Sequence, residues 1–478
     1  MTHTNISGPP DSFTQPLAFK TKLACGLGEI AGSSTNNIRA FFLLFFLTNI
    51  AGLNAGLAGG VLLIGRIWDA VNDPLVGWLS DRTCSSWGRR HSWMIYGAIP
   101  LGFFSFIQWI VPQFSQDPAS NQGGLFWYYT MVGLLQDTAF TAVIVPYSAL
   151  VPELTQDYNE RTSLVSFKSV FSLGAAMGSL LLAQIIFAKI TEPVSKYTIL
   201  GGVIAVISVV SIYLCVWGTR QRLVAMSSYF THTQTQDSLP MREQIRIVFS
   251  NQPFLCVIGI YLFSWAAAQI TATILPYFVV NWMGMPEQNF TFVAIAVQGT
   301  ALLMTFIWSP ICQRVGKKTV YFLGIPLWIL AQVGLFFLQP GQESLLYGLA
   351  VLAGIGISTV YLIPLAMLPD VIDLDELKTG QRREGIFYGF VAQLLKLGIA
   401  LSLFLVGKSL DGAGFISTHS GEAVPIQPDS ALFAIRLMMA PIPALILLCG
   451  LVLAYFYPLS REKHAEILLQ LWERKKQH

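Results

Sequence analysis

Apolar stretches close to 20 residues long recur along almost the whole chain of 478 residues, each long enough as a helix to cross about 30 Å of hydrocarbon. Twelve such spans can be laid out, at 23–50, 54–82, 92–112, 124–154, 161–188, 197–217, 250–280, 288–312, 319–338, 344–372, 384–409 and 431–457. Inside a bilayer every backbone N–H and C=O must be satisfied within the protein, so segments of this length have the helix as their open solution. Charged residues make up 12% of the chain and hydrophobic ones 54%, against about 25% charged in soluble domains. The expected fold class is therefore an all-α membrane protein of twelve transmembrane helices.

The basic residues give those spans a direction. Lys20, Lys22, Arg82, Arg89, Arg90, Arg161, Arg220, Arg222, Arg314, Lys317, Lys318, Lys378, Arg382 and Arg383 fall on one side, with little beyond Lys189, Lys196 and Lys408 opposite. By the positive-inside rule both termini are expected in the cytoplasm, in a plasma membrane or, in a bacterium, the inner membrane. The first 18 residues are polar and carry Pro9, Pro10 and Pro16, without a signal-peptide pattern, so the first span is expected to stay uncleaved. A net charge of +3 is too small to suggest a nucleic-acid partner. Cysteines 25, 84, 215, 256, 312 and 449 sit mostly inside spans without metal-ligand spacing and read as packing residues.

Against this apolar background, Arg66-Ile67-Trp68-Asp69-Ala70-Val71-Asn72-Asp73-Pro74 stands out. On a helix Arg66, Asp69 and Asp73 project from one face. An acid at the centre of a span costs roughly 2.5 to 3.5 kcal/mol on insertion scales, so it pairs, binds a cation or lines a wet path. The reading is a coupling-ion site in a transporter. Two acids on adjacent turns repel when both are ionised, which makes either a proton or a sodium ion a stabilising occupant. Asn72 adds a neutral oxygen, so the stretch offers hard donors suited to small cations.

The chain also looks doubled. Gly77-x-x-x-Asp81-Arg82 with Gly88-Arg89-Arg90 is echoed by Gln313-Arg314-Val315-Gly316-Lys317-Lys318, and Val145-Pro146 to Pro152-Glu153 by Ile363-Pro364 to Pro369-Asp370. This implies two six-helix halves around a central cavity, at 1–218 and 246–478, joined by a polar linker at 219–245. Ion pairs at the helix ends, Asp81 with Arg89 and Arg90, and Glu153 with Arg161, read as latches that form in one access state. Asp370 and Asp373, followed by Arg382, read as latches too. Pro146, Pro276, Pro364 and Pro441 are expected to mark kinks, and Arg436 to snorkel near a helix end.

The Gly-x-x-x-Asp-Arg loop resembles the signature of the major facilitator superfamily. Arg66 to Pro74, Val145 to Arg161, Met367 to Asp373 with Gly380 to Gly385, and Lys396 resemble the glycoside–pentoside–hexuronide:cation symporter family, over Lys22 to about Leu469. The resemblance implies twelve helices, alternating access, and uptake driven by sodium, lithium or protons. It makes Asp69 and Asp73 the cation-site acids, with Asn72 between them and Thr141 near them, and brings Lys396 close to the acids as their countercharge. Arg66, Trp68 and Lys168 match as well, Lys168 standing where many relatives carry arginine. Where sugar-binding members have aspartates on the first and fourth helices, this chain has Ser33 and Ile144.

Val145 to Leu150, Gly316 to Thr319 and the pair Asp137-Thr138 are also similar to the sodium-dependent lysophosphatidylcholine symporters of the same family. Substrate and coupling roles are accordingly assigned to Lys396, Arg66, Ser33, Asp137, Thr138, Tyr147, Lys168, Trp265 and Gln393. Trp127, Tyr147, Trp265 and Tyr388 are candidates to stack on a sugar ring or touch a lipid chain, with plain packing as the alternative. The expected function is a cation-coupled (sodium or proton) symporter importing a small solute, first a sugar or glycoside and alternatively a lysophospholipid. A transporter-derived membrane sensor is a more distant reading. No cofactor beyond the coupling ion, no enzyme activity and a monomer are expected. A Gly-x-x-x-x-Gly-Lys-Ser/Thr loop is missing, which argues against ATP-driven pumping.

Overall fold

Helix is what the long apolar runs adopt. The structure, a computed structural model, describes residues 17–83, 85–115, 118–155, 157–230, 241–381, 383–418, 425–459 and 461–477. Among the described residues there are helices and no strands. In order they are α1 (Phe19–Leu27), α2 (Glu29–Asn49), α3 (Ala55–Arg82), α4 (Arg89–Ile107), α5 (Pro118–Ser148), α6 (Leu150–Leu154), α7 (Tyr158–Lys189), α8 (Pro193–Phe230) and α9 (Met241–Ser250). There follow α10 (Gln252–Tyr277), which continues as a π-helical turn over Phe278–Trp282, then α11 (Glu287–Val315), α12 (Lys317–Phe337), α13 (Glu343–Thr379), α14 (Glu384–Gly412), α15 (Asp429–Met439), α16 (Pro441–Phe456) and α17 (Arg461–Gln477).

A helix lies in each of the twelve intervals read from the sequence. Eight segments, from Ser163–Lys189 to Asp429–Phe456, are long and apolar enough to cross a membrane by length and composition. Helix α3 is not among the eight, since it carries Arg66, Asp69, Asp73, Asp81 and Arg82. The prolines mark interruptions unevenly. Pro276 precedes the π turn and Pro441 opens α16 after a break at Ala440, whereas Pro364 sits inside an unbroken α13. Helices α8 and α9 run into the expected linker from either side, and residues 231–240 of it lie outside the described residues.

Two compact units account for the chain, Met1–Arg39 with Trp68–Gln236, and Ala40–Ile67 with Asp237–His478. In the first, α4 packs on α5 and α8 while α1 packs on α7 and α8, around Met94, Ala98, Leu101, Val143 and Ile212. In the second, α12 packs on α13 and α16 while α10 packs on α14 and α16, around Ile325, Trp328, Val360, Ile363 and Leu447. The partnerships α4–α5, α4–α8 and α1–α8 thus return as α12–α13, α12–α16 and α10–α16. That is the internal doubling seen in the motifs, expressed as packing.

The repeat extends to a single backbone conformation. Gly88 caps α4 at φ 88°, ψ 156°, and Gly316 caps α12 at φ 89°, ψ 157°. Only glycine holds that region without strain, which is about 1 to 3 kcal/mol for other residues. A Cβ at Gly316 would meet nothing nearer than Arg461 Cβ at 3.6 Å, so the penalty there is one of backbone rather than space. Gly316→Ala should therefore lower the melting temperature of the purified protein, and an unchanged melt would contradict this origin for the repeated glycine.

Candidate functional site

The polar face of α3 is turned onto α5. Asp69 and Asn72 are buried, as is Thr141 on α5. The Thr141 hydroxyl donates to Asp73 Oδ1 at 2.9 Å, and Trp68 Nε1 donates to Thr138 Oγ1 at 2.8 Å. These two bonds fix the register of α3 against α5, and the carboxylates come with it. Thr138 in turn donates to the carbonyl of Leu134 at 2.7 Å. Asn72 Nδ2 is buried with no hydrogen-bond partner in the protein.

A second charge pair lies beside this group. Arg39 on α2 donates through Nη1 to Asp137 Oδ1 at 2.5 Å, with side chains only 9% and 2% exposed. Arg39 is also close enough to Asp69 for direct charge–charge interaction. Arg39 Nε and Asp137 Oδ2 have no protein partner. Asp137 is thus paired with Arg39 as well as standing next to Thr138 in sequence. The available signal was the cost of an unpaired arginine inside a span, which requires a nearby acid.

What could this set hold? Among the described residues no three His, Cys, Asp or Glu side chains converge as a metal cluster. Two carboxylates with a hydroxyl and a carboxamide oxygen form instead a hard donor set of low charge, which fits a monovalent cation or a proton.

Other candidates form a polar track between α1, α2, α5 and α7 in the same unit. Ser33 and Ser172 hydroxyls are 2.7 Å apart, and Asn37 donates to Ala176 O and Ser179 Oγ. Lys168 Nζ is 3.5 Å from Glu29 and 4.2 Å from the centre of the Tyr147 ring, whose hydroxyl donates to Cys25 O at 2.7 Å. Lys168 and Glu29 are both partly exposed. Lys396, Gln393 and Trp265 belong to the second unit, as does Arg66. There Trp265 packs on Tyr361 with ring centres 5.5 Å apart, and Gln393 Oε1 is buried without a partner. Trp127 and Tyr388 are exposed at the surface of their helices.

The helix-end pairs repeat between units. Arg89 and Arg90 both donate to Glu153 Oε1, at 2.8 and 3.0 Å, and Arg90 also pairs with Asp81. In the second unit Lys317 donates to Asp370 Oδ1 at 2.6 Å. Since Gly88-Arg89 matches Gly316-Lys317 and Glu153 matches Asp370, one helix-end ion pair has been built twice. The expected Glu153–Arg161 pair is not formed: Arg161 Nε donates to Thr155 O at 3.0 Å, because Arg89 and Arg90 already take the carboxylate. Asp373 faces His464 Nε2 at 3.1 Å, and Arg382 lies outside the described residues. Arg436 does not snorkel. It donates to Phe336 O at 2.5 Å and lies over the Trp282 and Phe336 rings, an arginine used to cap the end of α12.

The second unit also contains an apolar pocket. Phe41, Leu335, Trp328, Ile357 and Tyr361 line it, and Thr271 and Gln298 are among its few polar groups. The cysteines among the described residues are free.

Two helical units with a repeated helix-end ion pair, and neighbouring acids on one of the helices, are the build of a multi-pass membrane carrier rather than an enzyme. The family of MFS/sugar transport proteins matches residues 24–461, and the chain belongs to this symporter family of the major facilitator superfamily. It is 45% identical to the uncharacterized symporter sll1374 of Synechocystis sp., over 96% of this chain and 98% of that one. It is 28% identical to the sodium-dependent lysophosphatidylcholine symporter 1 of Mus musculus, over 95% of this chain and 88% of that one. A solved D-xylose-proton symporter superposes with a TM-score of 0.63 at 15% identity, covering 92% of this chain and 98% of that one.

Proposed function

We propose that the chain couples the inward movement of a monovalent cation to uptake of a small organic solute. The observation that carries this reading is the buried Asp69 and Asn72 beside a half-buried Asp73 that accepts from the Thr141 hydroxyl. Acids in such a place are stabilised by whatever neutralises them, so cation binding and site geometry are linked. Sodium and a proton are alternative neutralisations of the acids. If the filled site orients the substrate, each ligand raises the other's affinity by the same factor. Twelve spans divided into halves at 1–218 and 246–478, a linker at 219–245, cytoplasmic termini and a monomeric carrier complete the reading.

The substrate we assign first is a sugar or glycoside, on the strength of the polar track of Ser33, Ser172, Glu29 and Lys168 beside the Tyr147 ring. The apolar cavity of the second unit favours a second reading, an amphipathic lysophospholipid whose chain needs such a lining. Counterflow in proteoliposomes tests transport itself, since a sensor would move nothing. Thermal stabilisation by sugars against lysophosphatidylcholine, with and without sodium, separates the two substrates, because a ligand of the native state raises its stability. Thr141→Ala should weaken sodium about tenfold, the worth of one hydrogen bond to a charged group. Sodium dependence unchanged in that variant would remove Thr141 from the site.

A further inference from the structure

The last helix has three different sides. At about 100° per residue, His464, Ile467, Leu471 and Arg474 share one face of α17, and this face is docked on the second unit. His464 Nε2 is 3.1 Å from Asp373 Oδ2 and 3.4 Å from Asp370 Oδ1. Arg474 Nη1 donates to Leu377 O at 3.3 Å, and Ile467 and Leu471 are buried in the core of that unit. The next side holds Ala465, Leu468, Leu469 and Trp472, at the i, i+3, i+4, i+7 spacing of an apolar stripe. Leu468, Leu469 and Trp472 are 47%, 55% and 55% exposed. Glu462, Glu466, Gln470 and Glu473 make up the third side.

Protein, apolar stripe and charge thus follow one another around the helix. A helix wholly in water has no use for the middle side, and one inside hydrocarbon could not tolerate the last. We propose that α17 lies in the membrane–water interface at the rim of the second unit, with Leu468, Leu469 and Trp472 seated at the boundary between head groups and acyl chains. Only residues 457–460 separate it from the end of α16 at Phe456. Over the five steps from Phe456 to Arg461, at about 3.5 Å each, they hold its start within roughly 18 Å of that point. Tyr455 and Phe456 are both exposed at the end of α16, as expected where a span leaves the hydrocarbon through an aromatic belt. Lys318 donates to the carbonyls of Tyr455 and Tyr457 there, at 2.8 and 3.1 Å, which places an ammonium at the same level. A tryptophan among leucines on a tethered helix is suited to that depth. The docked face holds the same Asp370 that Lys317 engages, so the leaflet bears on the second unit's latch through α17. This placement rests on the chain being a membrane protein and not on its substrate or coupling ion.

The test uses the full chain with its native cysteines replaced, carrying one nitroxide at Leu469→Cys or at Gln470→Cys, in phosphatidylcholine vesicles. At position 469 collisions with oxygen should exceed those with a water-soluble nickel chelate several-fold, and at 470 the order should reverse. Nickel access at 469 equal to that at 470 would put the stripe in water and overturn the proposal. Shielding of 469 from both reagents would also overturn it, since a second copy of the chain would then cover the stripe. A cysteine-free background that fails to fold does not end the test. Wild-type protein irradiated with a phosphatidylcholine bearing a photoreactive group near its head should form adducts within 465–472, and adducts at 455–456 alone would count against the seat.

Discussion

Asp69→Asn and Asp73→Asn each abolish cation-dependent accumulation in proteoliposomes while leaving a folded protein. Asparagine keeps the shape of the side chain and removes its charge. At about 4 Å and an effective dielectric near 20, one carboxylate attracts a monovalent cation by roughly 4 kcal/mol, so its loss weakens binding by about three decades. At Asp73 the carboxamide oxygen still accepts from Thr141, whose bond of 2.9 Å therefore survives and keeps α3 in register on α5. Stability falls little, because a neutral amide is less costly to bury than an uncompensated acid. The measurements are uptake driven by sodium or proton gradients and sodium-dependent thermal stabilisation. Two variants that retained both dependences in full would refute the site. A variant that lost sodium dependence but kept proton drive would show that the remaining acid alone binds the proton.

The helices were legible because hydrocarbon leaves one backbone solution, and the acids because charge inside such a helix has few uses. Arg66, Asp69 and Asp73 share a face by spacing alone, and Thr141 enters through family resemblance, with the structure placing it on Asp73. The doubling was legible too, and in the structure it reaches the φ of Gly88 and Gly316. What could not be read was which distant side chain meets which. Glu153 takes Arg89 and Arg90 rather than Arg161, since helix packing and not sequence distance decides the partner. The same holds for Arg436, which finds the Phe336 carbonyl 100 positions away. The two apolar faces of α17 resolve only once Ile467 and Leu471 are seen docked in the second unit.

Arg39 and Asp137, 98 positions apart, are the pair whose loss should cost most in stability. Arg39→Met leaves a carboxylate that is 2% exposed without its counterion, and breaking a buried pair from one side costs about 3 to 5 kcal/mol. Asp137→Leu strands the guanidinium in the same way. The double variant Arg39→Met/Asp137→Leu should recover most of the loss, because apolar replacements of similar volume avoid desolvating either charge. A thermal or denaturant cycle over the four proteins measures this, and additive single losses would mean that the two groups do not stabilise one another. The double variant also separates scaffold from site. Arg39 lies near Asp69, yet the cation ligands named are Asp69, Asn72, Asp73 and Thr141, so the repaired protein should still show sodium- or proton-dependent uptake. Loss of that dependence in a protein of restored stability would make the pair a working part of the coupling site.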